Sequence, residues 1–200
     1  YDGSLRARQQ LSRMNSTQQV VAAGTVYDHE GRQSVQVIPT PVLAGDLTYY
    51  EGLHVDAGGG IFDKNDFDMG TSPAMGTNSG AGRYYSSLND FSGIEPFRDR
   101  IPDAEGYAYS QVKFHHDNTG RPPVQSGIGR THRMGGGHES YFFYVKPTDR
   151  NLRELFGSNV GDATHYDKQI SIDANGQASV SYTDMHGRVI ASGLYGGHPN

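Results

Sequence analysis

The stretch Tyr27-Asp28-His29-Glu30-Gly31-Arg32 decides how this sequence folds. An Asp at the first position of a turn accepts hydrogen bonds from backbone N–H groups, and a Gly three residues later adopts the left-handed conformation of a G1-bulge hairpin. β-Prone residues flank the turn, with QVVAAGTVY at 19–27 before it and QSVQVI at 33–38 after it. The stretch therefore predicts a strand, a tight turn and a second strand.

The same Asp-x-x-Gly pattern recurs along the chain, at Asp103–Gly106, Asp117–Gly120, Asp173–Gly176 and Asp184–Gly187. Each copy predicts a hairpin tip for the reason given above. Around the last two copies, β-prone runs at 169–172, 177–183 and 188–192 predict a three-stranded meander. We therefore expect an all-β fold of successive antiparallel hairpins.

A long polar stretch separates the two β-rich ends. Residues 56–99 are crowded with Gly, Ser, Asn and Asp, and a structureless loop of this length is uncommon in a compact domain. The stretch also carries aromatic residues, Tyr84, Tyr85, Phe91 and Phe97, so we expect irregular chain packed over a neighbouring surface, with disorder as the alternative. The predicted regions are hairpins at 1–55, an irregular insertion at 56–100, and hairpins with a helix at 101–200.

One short helix is predicted at about 149–156. Thr148 or Asp149 follows Pro147 as the N-cap, and Gly157 ends the helix at the C′ position. A helix of about two turns is not stable alone, so it must dock its apolar side chains on the sheet. These side chains are Leu152, Leu155 and Phe156.

Composition excludes several classes of protein. The 17 Lys and Arg are scattered among 22 Asp and Glu, for a net charge of −5, so there is no basic stripe for nucleic acid. No apolar run approaches the ~18 residues of a membrane-spanning helix, and no membrane insertion is expected. Cysteine is absent, which excludes disulfides and thiolate chemistry. The chain opens at Tyr1 without a signal peptide, and we expect it to be part of a longer protein.

Tyr27, Asp28, Gly31 and Arg32 match the Tyr-Asp-x-x-Gly-Arg consensus of YD repeats residue for residue. Weaker copies are Asp184-Met-His-Gly187-Arg188 with Tyr182 one position early, Phe114-His-His-Asp117-Asn-Thr-Gly120-Arg121, and Tyr1-Asp2-Gly3. Connecting stretches such as Gly135-Gly-Gly-His-Glu139 and Ile172-Asp173-Ala-Asn-Gly176 also resemble segments of such proteins. Over nearly its whole length the chain resembles the YD-repeat, Rhs-type family of very long exported proteins of Gram-negative bacteria.

The resemblance implies a shell of successive hairpins that encloses a C-terminal toxin. The chain would then be a structural segment rather than an enzyme, secreted or on the cell surface, with the flanking repeats of the same chain and the enclosed toxin as its partners. Its departures are the irregular spacing of the repeats, the lack of a Tyr-Asp repeat between Arg32 and Asp117, and the absence of Asp-Pro, which leaves no autoproteolytic step to assign here. A junction or seal of the shell is therefore the alternative to a regular wall.

The residues of the repeat also suggest their physical role. A Tyr before the turn offers a broad amphipathic face to a neighbouring hairpin. An Arg after the turn can bridge carboxylates or stack on that ring. The repeat is thus expected to hold one hairpin to the next.

Two polar clusters are weak candidates for a metal site. His132, His138 and Glu139 lie on a Gly-rich loop, but their spacing matches no metal motif, and a hydrogen-bonded loop is the simpler interpretation. Asp63, Asn65, Asp66 and Asp68 resemble a calcium loop without its Gly at position 6 or its acid at position 12. A non-standard Ca²⁺ site is the one cofactor that stays open.

Two other functions stay open beside the structural one. An adhesion module that binds glycans or another cell surface would show a cluster of solvent-facing aromatic side chains on one sheet. A metal-dependent hydrolase would need His132, His138 and Glu139 to converge with a further acid. The sequence has no Gly-x-Ser-x-Gly elbow, and its Gly tracts lack the Lys-Ser/Thr of a phosphate loop.

Overall fold

A computed structural model describes residues 3–42, 46–89 and 100–196 of the chain. The strands are β1 Gln9–Arg13, β2 Val20–Tyr27, β3 Gln33–Val42, β4 Tyr109–Lys113, β5 Val124–Gln125, β6 Ser140–Val145, β7 Tyr166–Ile172, β8 Ala178–Asp184 and β9 Val189–Leu194. The helices are α1 Lys64–Asp68, α2 Gly80–Tyr84 and α3 Asp149–Phe156, with 3₁₀ turns at Glu51–Leu53 and Ala163–His165. The fold is all-β, as predicted.

The chain forms two compact units. Unit 1 comprises Tyr1–Phe114 and Gln125–Glu139, and unit 2 comprises His115–Val124 and Ser140–Asn200. The division into three regions that the sequence predicts, at 1–55, 56–100 and 101–200, stays a prediction. Tyr1, Asp2, Phe91 and Phe97 lie outside the described residues.

In unit 1, β1 to β4 pair antiparallel in the order of the sequence. Alternate residues of β2 are buried, so one side of this strand faces the core. The pairing of β2 with β3 shifts register next to the turn, between Val26 and Tyr27. This irregularity is the bulge expected of an Asp-x-x-Gly hairpin.

The core of unit 1 joins the sheet to the polar stretch that follows it. Phe67 of α1 is almost fully buried, and its ring meets those of Phe62 and Tyr109 edge to face at centroid distances of 5.8 and 5.2 Å. Gln111 of β4 donates to the Phe67 carbonyl at 2.9 Å and accepts from Ser72 Oγ at 2.9 Å. Burying a Phe side chain stabilises a fold by about 1.5–3 kcal/mol, so these contacts fix the stretch on the sheet.

The described part of the polar stretch is therefore packed chain. Its two one-turn helices, α1 and α2, were not predicted. Tyr84 and Tyr85 stack edge to face at 4.7 Å, and the Tyr85 hydroxyl donates to the Pro39 carbonyl of β3 at 2.6 Å. Gly82 allows α2 to approach closely, because a Cβ at this position would clash with the Gly76 carbonyl.

In unit 2, β6 to β9 also pair antiparallel in sequence order. The register places Phe143, Ile170, Val180 and Gly193 in one row across the four strands. The last three strands are the predicted meander. One face of this sheet is mainly apolar, and the other carries polar residues such as the hydrogen-bonded pair Ser171 and Ser179 at 2.8 Å.

Helix α3 has the predicted bounds and caps. The Thr148 side chain accepts from the Asn151 N–H, and Asn151 Oδ1 accepts from the Thr148 N–H. Gly157 ends the helix at φ +80°. Leu152 is fully buried, but Leu155 and Phe156 are exposed, so the expectation that all three dock was wrong. Only the turn around Leu152 is packed, and the second turn faces solvent.

The longest helix in the described ranges, α3, has eight residues. Among these ranges no helix has both the length and the apolar character needed to span a bilayer.

Candidate functional site

The turn between β2 and β3 carries the full consensus and closes on itself. The Asp28 N–H donates to the Arg32 carbonyl at 2.9 Å, and the Gly31 N–H donates to the Asp28 carbonyl at 3.1 Å. Asp28 Oδ1 accepts from the backbone N–H groups of Glu30 and Arg32 at 3.0 and 2.8 Å. Gly31 has φ +82°, a conformation that side chains disfavour. The turn therefore satisfies its own backbone groups.

The Arg32 guanidinium locks this turn. Its Nε donates to Asp28 Oδ2 at 2.7 Å, its Nη1 lies 2.9 Å from Glu30 Oε2, and its plane lies over the Phe114 ring at 4.6 Å. The Asp28 and Arg32 side chains are only 13% and 20% exposed. Burial by itself raises the pKa of Asp28, but the hydrogen bonds and charge of Arg32 outweigh it and hold that pKa below its ordinary value.

The turn between β8 and β9 repeats this arrangement. The Asp184 N–H donates to the Arg188 carbonyl at 3.0 Å, and Asp184 Oδ1 accepts from the N–H groups of His186 and Arg188 at 2.9 and 3.0 Å. The Arg188 Nε donates to Asp184 Oδ2 at 2.7 Å, which lowers the pKa of Asp184 to about 2. Gly187 has φ +75°. Two turns far apart in sequence thus have equivalent hydrogen-bond networks.

The turn between β7 and β8 has the same backbone net without the arginine. Asp173 Oδ1 accepts from the N–H groups of Asn175 and Gln177, both at 2.9 Å, and Gly176 has φ +80°. Gln177 stands where the consensus has Arg, and its amide donates to the Ala178 carbonyl instead. The Asp and Gly are therefore sufficient for the turn, and the Arg is an addition to it.

A further copy of the net was missed by the sequence analysis. Asp56 Oδ1 accepts from the N–H groups of Gly58 and Gly60 at 2.7 and 2.8 Å, and Gly59 has φ +88°. The turn joins an antiparallel bridge between Val55 and Ile61. The signal was Asp56-Ala-Gly-Gly59, which was hidden in a Gly-rich tract.

The copy at Asp103 does not form a hairpin tip, so this prediction was wrong. The turn is centred one residue later, where the Tyr107 N–H donates to the Ala104 carbonyl at 2.8 Å and Glu105 and Gly106 both have positive φ. Residues 100–108 contain no strand, so no first arm leads into the turn. Asp-x-x-Gly predicts a hairpin only between two strands.

The copy at Asp117 forms a different turn. Asp117 Oδ1 accepts from the N–H and hydroxyl of Thr119, while the Arg121 N–H donates to Thr119 Oγ1 at 3.3 Å. Gly120 has φ +69°, and the Arg121 guanidinium lies over the Tyr144 ring at 5.2 Å. Here Thr119 Oγ1 accepts from the N–H of the fifth residue, which donates to the Asp carboxylate in the other turns.

The tyrosines of the repeats have partners other than their own arginines. The Tyr27 hydroxyl donates to the Ala7 carbonyl at 3.0 Å, and the Arg6 guanidinium lies over its ring at 4.8 Å. Tyr182 is buried, with Lys168 Nζ 5.6 Å from its ring centroid. Of the two roles expected for the Arg, Arg32 has the first: it bridges the carboxylates of Asp28 and Glu30, and its guanidinium lies over Phe114 and not over the Tyr of its own repeat.

The His-rich loop brings its two imidazoles together. The rings of His132 and His138 meet edge to face at 5.6 Å. Glu139 is buried, and its carboxylate accepts from the Gly135 N–H. Within residues 3–42, 46–89 and 100–196, no three His, Asp or Glu are grouped to hold a metal ion.

The stretch Asp63–Asp68, whose sequence resembles a calcium loop, forms helix α1 and its N-cap. Asp63 is the N-cap of α1 and accepts from the Asn65 N–H at 2.8 Å, while Asp66 accepts from the Asp63 N–H at 2.7 Å. Asp68 pairs with His29 at 2.8 Å. The four side chains therefore serve the capping box and an ion pair and do not converge on one point.

A cleft of about 240 Å³ lies beside the first turn in unit 1. Three cations line it, Arg6, Arg8 and Lys64. The other lining residues are Thr25, Val26, Tyr27, Asp28, His29 and Asp63. Sequence reasoning missed this site because residues 6–8 and 63–64 are brought together only by the fold.

Comparison of the chain with models of known protein families and with curated protein sequences finds no match. The resemblance to YD-repeat proteins therefore rests on the repeat residues themselves.

Proposed function

We propose that the chain is a structural segment of a large YD-repeat shell, secreted or on the surface of a Gram-negative bacterium. In this proposal it encloses or displays a toxin or effector portion, its partners are the flanking repeats of the same long chain, and it catalyses no reaction. The observation that carries the proposal is the repeated Asp-x-x-Gly net, which joins β2 to β3, β7 to β8 and β8 to β9.

The turn net suits a wall because it is self-contained. A buried or strained loop would need neighbours to satisfy its N–H groups, whereas each of these turns uses its own Asp. Strands can then follow one another in sequence order, as they do in both units. A sheet of this kind extends by adding hairpins without long connections.

The last strand is suited to further pairing. In the described residues β9 pairs with β8 alone, and its sequence VIASGL contains no charge and no proline. Val189 and Leu194 are exposed. Natural edge strands are usually protected by charges, prolines or bulges, so an unprotected edge supports a neighbouring strand in the intact protein.

The isolated 200 residues test the proposal by circular dichroism and sedimentation velocity. We expect a β-sheet spectrum and self-association that increases with concentration, because in the described part of the chain the outer edge of β9 is unpaired. Leu194→Lys should reduce that association, since a charge on an edge strand opposes pairing. Met185→Lys changes another exposed apolar residue, outside the strands, and should leave the association unchanged. A stable monomer would contradict the wall proposal.

Glycan or cell-surface binding is the second candidate, because one sheet face of unit 2 exposes aromatic rings. Tyr141, Phe143 and Tyr195 are 40%, 47% and 50% exposed, and the register places them on the same face. Exposed aromatic clusters of this kind mark binding surfaces. Phe143→Ala should then weaken binding to an immobilised glycan panel about tenfold. Leu155→Ala is the control, and equal binding by all three proteins would remove this candidate.

A further inference from the structure

The cleft beside the first turn is lined by two cations, Arg8 and Lys64, whose surroundings differ from those of the other charged residues there. Among the described residues, neither the Arg8 guanidinium nor the Lys64 ammonium forms an ion pair or a hydrogen bond. Arg8 is half-buried, with its guanidinium 5.8 Å from the Tyr49 ring centroid. A half-buried guanidinium has lost part of its hydration, so an anion placed there would gain more than at an open surface.

The acids that line the same cleft are already engaged. Asp28 is held by Arg32, and Asp63 accepts from the backbone and side chain of Asn65 at 2.8 and 3.2 Å. His29 pairs with Asp68. Three cations, Arg6, Arg8 and Lys64, thus line the cleft with two carboxylates, Asp28 and Asp63, in a chain whose net charge is −5.

We propose that this cleft binds a sugar acid, through its carboxylate at Arg8 and Lys64. The inference does not depend on the shell proposal, since a binding cleft can lie on a wall or on a separate module. A single carboxylate matches two cations, and Arg is suited to bind it with two parallel hydrogen bonds.

Two features favour a sugar acid over a bare anion. The lining also includes the Thr25 hydroxyl and the Asp63 carboxylate, whose oxygens each accept one hydrogen bond from Asn65 and keep a lone pair for a sugar hydroxyl. The negative charge of the carboxylates repels additional negative charge. Its volume of about 240 Å³ is below the ~300–1,000 Å³ of pockets for drug-sized ligands, so it suits one sugar ring. A dianionic phosphate would meet the two carboxylates unfavourably.

NMR titration of the full chain with sodium glucuronate tests the proposal, with glucose and acetate as matched probes. Glucose has the hydroxyls without the charge, and acetate has the carboxylate without the hydroxyls. We expect glucuronate to bind at least tenfold more tightly than either. Binding should weaken as salt rises, since the pairing is partly exposed.

Substitutions locate the site. Arg8→Gln and Lys64→Gln should each weaken glucuronate binding several-fold, and Lys64 is exposed, so this second variant is informative even if Arg8→Gln disturbs the fold. Lys113→Gln, outside the cleft, should have no effect. Equal binding of glucose or acetate would overturn the proposal. So would unchanged binding by Lys64→Gln, or a tetraglutamate peptide that binds more tightly than glucuronate, which would indicate a protein ligand.

Discussion

Three turns contain Asp-x-x-Gly-Arg, and two of them, at Asp28 and Asp184, have the same hydrogen-bond network in different surroundings. In unit 1 the Arg32 side chain is 20% exposed and lies over Phe114. In unit 2 the Arg188 side chain is 74% exposed, and among the described residues no aromatic ring lies beneath it. The distance from Nε to the Asp carboxylate is 2.7 Å in both turns.

This difference separates the shape of the turn from the stability that its Arg contributes. The turns at Asp28 and Asp184 reach the same shape in unlike environments, whereas the third copy, at Asp117–Arg121, forms a different turn through Thr119. The contribution of the Arg to stability depends on desolvation, which the rest of the fold provides. The motif thus forms this turn at Asp28 and Asp184, and we expect burial of the Arg to decide how much its ion pair contributes to stability.

The largest expected effect is that of Arg32→Ala. It removes hydrogen bonds to a charged group and the contact with Phe114, and it leaves the Asp28 carboxylate poorly solvated. We expect the free energy of unfolding to fall by about 2–3 kcal/mol, measured by urea denaturation. Arg188→Ala is the matched comparison. Asp184 is as little exposed as Asp28, at 14%, but Arg188 is 74% exposed and has, within the described ranges, no contact like that of Arg32 with Phe114, so the loss should be smaller. Equal losses would show that burial does not set the contribution.

Acid should weaken both turns. The pKa of folded Asp184 is about 2, below its ordinary value of 3.8, and that of Asp28 is also lowered. A carboxylate with a lowered pKa stabilises the fold fully above its unfolded pKa, and this stabilisation is lost as the pH falls from about 4 towards 2. Urea midpoints measured across this range should decrease, and less steeply for Asp184→Asn and Asp28→Asn. Identical slopes in the variants would contradict the assignment.

The smallest expected effect is a gain at the third turn. Gln177→Arg supplies the arginine that the Asp173 turn lacks, at an exposed position. We expect stabilisation by roughly 0.2–1 kcal/mol, measured by thermal unfolding, because exposed ion pairs contribute little. Gln177→Lys adds charge without the planar guanidinium and should give less. A stabilisation by Gln177→Arg that exceeds the loss caused by Arg32→Ala would contradict the view that a buried Arg contributes more than an exposed one.

Local rules predicted the parts of the fold that depend on adjacent residues. The turns at Asp28, Asp173 and Asp184 and the helix at Asp149–Phe156 follow from spacing and capping. The Asp103 turn failed because the pattern says nothing about whether a strand precedes it.

Long-range contacts could not be predicted in this way. The burial of Phe67 against Tyr109 joins residues far apart in sequence, and so does the hydrogen bond from Tyr85 to Pro39. The cleft at Arg8 and Lys64 has the same origin. No local pattern predicts that residues 6–8 meet residues 63–64, and only the fold brings their side chains together.

The Asp184 turn also offers a fixed position for a reporter group. Asp184 holds the turn through backbone N–H groups, so the side chains of Met185 and His186 take no part in it. Met185 is 71% exposed, and the chain has no cysteine. A Met185→Cys protein would therefore carry its only thiol at the tip of a rigid hairpin, where a dye or spin label reports the orientation of the sheet with little motion of its own.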